Sequence, residues 1–125
     1  MSLVVALSAC ASWFGLEVLD ELPEAFPLTL RGPMGQVTQT EGGHVAVDEV
    51  HDTEPEARTA WNALRAEATA RGFAVTDAER RKKLEVTVLE GDNGKIELQC
   101  CARRADGQWL VLMSWFPPAA RAGVP

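Results

Sequence analysis

The sequence predicts an α+β domain: one antiparallel β-sheet with one main helix, about residues 54–71, packed on one face. Three observations predict it. Short segments of alternating hydrophobicity flank a single long segment of helical period. The later segments are punctuated by hairpin turns. The helical segment carries a start signal and a stop signal. The element order read in this way is β-β-β-α-β-β-β, in which strands and one helix build a single two-layer core.

The elements follow in order. In residues 11–22, Ser12 can cap a short helix, with Phe14, Val18 and Leu22 at i, i+4, i+8; Gly15 weakens that helix and Pro23 ends it. The same segment reads equally as a tether. Phe26 to Arg31 alternates Phe26, Leu28 and Leu30 and reads as a strand, with Pro27 suited to an edge. Gln36 to Thr40 reads as a second strand and His44 to His51 as a third, with Val45 and Val47 on one face.

Thr53-Glu54-Pro55-Glu56 then supplies a capping box, with proline in the first turn, where no hydrogen-bond donor is lost. Ala57, Ala60, Trp61, Leu64 and Ala68 share one helix face, and Gly72 fits the left-handed stop with Phe73 as its hydrophobic contact. Asp77 to Lys83 reads as a polar loop or one helical turn. Three strands follow: Leu84 to Glu90, Lys95 to Arg103 and Gln108 to Phe116, turning at Gly91–Gly94 and Asp106-Gly107. Leu84, Val86 and Val88 are expected on the buried face of the first, and Ile96, Leu98 and Cys100 on that of the second. The last strand is apolar on both faces, so it is expected at the centre of the sheet or covered twice.

With 125 residues the chain is long enough for one domain and can bury about two-thirds of its unfolded surface without disulfides or metal. The single domain is expected over residues 26–116, with 117–125 as a flexible Pro- and Ala-rich tail. The net charge of −6 argues against a dedicated nucleic-acid binder, whose affinity comes from neutralising phosphates. The charge is also uneven: residues 1–57 hold ten acids and one base, Arg31, whereas residues 58–125 hold eight acids and eleven bases. Arg80-Arg81-Lys82-Lys83, the one basic cluster, is flanked by Asp77, Glu79 and Glu85 and reads as solvated surface.

Chemistry-bearing residues are few. His44 and His51 lie seven apart on one strand, facing opposite sides roughly 23 Å apart, and cannot share a metal. Asp48 shares a face with His44, about 13 Å along the strand. No segment pairs a nucleophile with a base, so no catalytic residue, metal site or cofactor is expected. Cys100 and Cys101 would point to opposite faces of a strand as two thiols, since bonded cysteines prefer a wider Cα spacing than neighbours have. Trp109 and Trp115 share one face of the last strand. They belong to the core if the helix covers that face, and form an exposed partner-binding strip if it covers the other.

The opening residues carry an address. Leu3 to Leu7 is a short apolar run followed by small residues, the layout of an export signal, although no Lys or Arg precedes Arg31. Leu7-Ser8-Ala9-Cys10 resembles the lipobox of bacterial lipoproteins. The resemblance implies that residues 1–10 are a signal segment, that Cys10 is the site of lipid attachment, and that the protein meets the membrane through that lipid in the cell envelope or periplasm. The alternative makes Leu3 to Leu7 a buried strand or helical turn. Two functional expectations follow: a non-enzymatic envelope lipoprotein whose domain binds a ligand or protein partner, or a cytoplasmic acidic adaptor or inhibitor-like protein that docks a basic partner through its acidic half.

Overall fold

The fold is that of a computed structural model, which describes residues 15–118. Among the described residues seven strands form one antiparallel sheet and one helix crosses one of its faces. The strands are β1 (Leu16–Leu19), β2 (Met34–Thr40), β3 (Val45–His51), β4 (Ala74–Arg81), β5 (Leu84–Gly91), β6 (Gly94–Arg103) and β7 (Trp109–Phe116); the helix α1 (Glu54–Ala70) joins β3 to β4. Their order across the sheet is β1-β2-β3-β7-β6-β5-β4. β7 thus sits at the middle, as its two apolar faces require.

α1 begins where its capping signal lies: Thr53 Oγ1 accepts the Glu56 N–H at 3.3 Å. It stops at a Schellman turn, with Phe73 N–H donating to Ala68 O at 3.0 Å and Gly72 N–H to Thr69 O at 3.1 Å. Gly72 takes φ +96°, which a side chain would strain. Ala57, Ala60, Trp61, Leu64 and Ala68 are buried against the sheet, the alanines letting the helix sit close. Beneath them runs a row across all seven strands: Leu19, Val37, Val47, Met113, Leu98, Thr87 and Ala78.

Four sequence expectations are corrected. Leu16–Leu19 is a strand, not part of a helix over 11–22, because pairing with β2 outweighs a helical period already weakened by Gly15. Phe26 to Arg31 is not a strand; it is a loop whose Phe26 and Leu28 plug the core, Phe26 meeting Trp115 edge-to-face at 6.1 Å. Asp77 to Arg81 is not a loop but the greater part of β4, which pairs with β5 through a hairpin where Lys82 takes φ +57°. On β5, Glu85, Thr87 and Leu89 face the helix, opposite Cys100, Leu98 and Ile96, so Leu84, Val86 and Val88 lie on the other side. Arg58 of the helix meets Glu85 at 3.1 Å, which gives that inward carboxylate its partner.

Among the described residues no helix covers the second face of the sheet. Its row through Val18, Thr38, Ala46, Ser114, Glu97, Val88 and Asp77 mixes polar and small residues. Ala46 and Ser114 lie in a shallow depression of about 240 Å³, also lined by Gln36, Asp48 and Leu112.

Candidate functional site

A buried carboxylate marks the most distinctive chemistry of the domain. Alternation along β3 carries Val45, Val47, Glu49 and His51 to the helix-covered face. Glu49 is therefore delivered into the core, where it has no exposed surface. Burying a carboxylate without partners is costly, and both of its oxygens are accounted for. Oε1 lies 2.7 Å from His51 Nε2, and Oε2 accepts the backbone N–H of Arg31. Arg31 belongs to the loop between β1 and β2, which is tied again where Val50 N–H donates to Pro33 O at 2.9 Å.

The imidazole of His51 is nine-tenths buried and rests on Gly32, where any Cβ would come within 2.7 Å of its Cε1. Glycine at 32 is thus a condition of the ring's seat. Glu49 fixes the ring's orientation, as a carboxylate hydrogen-bonded to one ring nitrogen does. With Nε2 held by Glu49, Nδ1 is the nitrogen left for a guest.

Two adjoining recesses open over this pair. One, of about 580 Å³, lies between the β1–β2 loop, the start of α1 and the β6–β7 hairpin; the other, of about 440 Å³, runs along the first turns of α1. Arg31, His51 and Glu56 line both. The larger adds Asp52, Arg104 and Gln108, so its rim carries two guanidinium groups, two carboxylates and an amide. Arg31 meets Glu67 at 3.2 Å, Arg104 meets Asp106 at 2.6 Å, and Gln108 donates to Asp52 at 3.1 Å. The Arg104–Asp106 pair is exposed on both sides, so Arg104 is the guanidinium freer to turn toward a guest, whereas Arg31 is paired with a largely covered carboxylate.

The residues singled out from sequence are placed as follows. Trp109 and Trp115 lie on the helix-covered face. Trp115 is 5% exposed, with its indole N–H donating to Asn93 O at 2.9 Å. Trp109 is half-buried beneath the Arg103 guanidinium. The condition for an exposed aromatic strip is not met, and both tryptophans pack with the core. Cys100 and Cys101 are both buried with their sulfurs in contact, not directed to opposite faces. A bulge between Cys100 and Ala102 breaks the alternation on which that expectation rested. Cys10, the signal segment and residues 119–125 lie outside the described residues.

His44 and His51 do take opposite sides. His44 stacks on Phe116 at 4.1 Å, and burial holds its pKa below the ordinary 6.5, with Glu97 opposing that shift and Lys95 adding to it. Among the described residues no three His, Cys, Asp or Glu side chains come together to hold a metal ion. Sequence reasoning paired the histidines with each other and with Asp48, and so passed over Glu49. The signal was nonetheless present: a carboxylate two residues from a histidine, in phase with two valines. Comparison with protein-family models, curated proteins and solved structures finds no match to this chain.

Proposed function

We propose that the protein is a non-enzymatic lipoprotein of a bacterial cell envelope, anchored through Cys10, whose α+β domain holds a small zwitterionic ligand in the His51 cleft. The observation that carries the binding reading is the buried Glu49–His51 pair beneath a recess rimmed by charges of both signs. A ligand with a carboxylate for Arg31 or Arg104 and an ammonium for Asp52 or Glu56 matches that rim, with His51 Nδ1 contributing a hydrogen bond between them. Free amino acids and short peptides have this chemistry.

The anchor reading rests on Leu7-Ser8-Ala9-Cys10 and on its position ahead of β1. The intervening chain reaches at most about 20 Å, so a lipid on Cys10 keeps the domain close to the bilayer. Two measurements test the two parts. Intact mass after expression of the full chain in a bacterial host should show loss of nine residues and gain of lipid, abolished by Cys10→Ala; an unmodified chain starting at Met1 overturns the anchor. Titration with a panel of free amino acids and dipeptides, followed by ¹H–¹⁵N spectra, should shift the His51 ring and the Gly32 amide. No shift at these groups across the panel overturns the cleft as a ligand site.

A further inference from the structure

The outer edge of β1 is built to receive a strand. Among the described residues β1 pairs with β2 alone and stands at the end of the sheet. Because the Glu41 N–H donates to Gly15 O at 3.1 Å, residue 15 turns its backbone groups toward β2, and by alternation Leu16 and Val18 turn theirs outward. Two N–H and two C=O groups along this edge therefore have no strand partner among the described residues. The side chains of the same residues are also exposed, Leu16 at 39% and Val18 at 47%, two of the three large hydrophobic residues exposed to this degree among the described residues. Both project from the helix-free face of the sheet, beside Thr40 and Thr38.

The surroundings fix the chemistry of the occupant. Glu17 lies between the two apolar side chains in sequence, Glu41 closes one end of the strand and Asp20 and Glu21 the other; all are exposed. Arg31, the only base in the first 57 residues, is drawn to Glu67 on the helix. A recess of about 110 Å³, lined by Leu16, Glu17, Thr40 and Glu41, lies at the start of the strand. Edge strands that must stay unpaired carry lysine, proline, bulges or inward charges. β1 has no lysine, proline or bulge, and its one charge, Glu17, is acidic and exposed.

We propose that the β1 edge binds an extended, basic, alternately apolar segment of a protein partner as an eighth strand of the sheet. Backbone hydrogen bonds to Leu16 and Val18 supply the pairing, their side chains take the partner's apolar residues, and the acids around them select lysine or arginine at the alternate positions. The surface lies at the opposite end of β2 from the His51 cleft, so neither the anchor nor the cleft is needed for it.

A synthetic peptide, acetyl-Lys-Val-Lys-Val-Lys-Val-amide, tests this against the full chain. Expected are ¹H–¹⁵N shifts centred on Leu16, Val18 and Glu41, with affinity falling as NaCl is raised, and no binding of the Glu-Val counterpart. Val18→Pro removes an outward N–H and should weaken binding about tenfold or more. Val18→Lys leaves the backbone intact and should weaken it similarly with an unchanged melting temperature. Shifts confined to the β4 edge, equal binding of both peptides, or no shift at β1 each overturn the proposal.

Discussion

The sheet ends in two edges of opposite construction. β4 is twice as long as β1, and every one of its residues is exposed. Its outer half reads Asp77, Ala78, Glu79, Arg80, Arg81, and Glu79 already pairs with Arg81 along the strand. Another strand approaching this edge meets charges of both signs that must be desolvated, which is how natural sheets keep an edge single. β1 offers Leu16 and Val18 instead. The difference teaches that edge protection is a local property of sequence. The same sheet defends the side that ends in the basic hairpin and, among the described residues, leaves its acidic side unpaired.

The two flanks also differ in what ties them to the core. β4 depends on β5 and makes little contact with the helix. The β1–β2 flank is held by the loop between its strands, through the Phe26 and Leu28 plug, the Arg31–Glu49 hydrogen bond and two bonds from Thr29 to Glu67. Four substitutions measure that contrast. Phe26→Ala opens a cavity against Trp115 and should cost about 3–5 kcal/mol in urea unfolding. Glu49→Ala strands the Arg31 N–H and unseats His51, for an expected loss of about 2–3 kcal/mol, with the His51 ring resonances broadened or shifted in NMR.

The third effect depends on pH. Burial alone would raise the Glu67 pKa, but the Thr29 N–H and hydroxyl together with the Arg71 guanidinium outweigh it and hold it below the ordinary 4.5. The unfolded chain therefore takes up the proton first. The stabilisation is complete above about pH 4.5 and is lost as pH falls through the folded value. Urea midpoints collected from about pH 5 down to about 3 should fall less steeply for Glu67→Gln than for the parent. Glu79→Ala on β4 closes the series, with an expected change within about 0.5 kcal/mol. A cost for Glu79→Ala equal to that of Glu49→Ala would erase the contrast between the flanks.

How far the sequence discloses this molecule follows from where each signal is local. Thr53, Pro55, Gly72 and Phe73 place the helix to within one residue, because capping depends on neighbours in the chain. Gly91 to Gly94 and Asp106-Gly107 place the meander for the same reason. β7 declares its central position by being apolar on both faces. β1 does not: Phe14, Val18 and Leu22 suit a helix, and only the ladder to Thr38 and Thr40 makes Val18 a strand residue. β4 hides because a well-protected edge has the composition of a loop. Phe26, Leu28 and Leu30 alternate as a strand would, yet they serve a loop that fills the space beside the helix. Within the candidate site, Glu49 and His51 are adjacent in phase and were readable, whereas Arg31 and Gly32 arrive from a distant loop whose course no local pattern encodes.

The central position of β7 has a consequence for how the protein is made. β3 and β6 both lie against β7, so the flank formed first and the flank formed last have no strand-to-strand contact until the final strand exists. At about 5–20 residues per second, a ribosome needs roughly 3 to 12 s to travel from His51 to Trp109, residues that end as ladder partners. Throughout that interval, among the described residues, the early strands have only α1 to cover their apolar face. A product terminated before β7 has two half-sheets joined by α1 alone, without the strand that β3 and β6 both pair with.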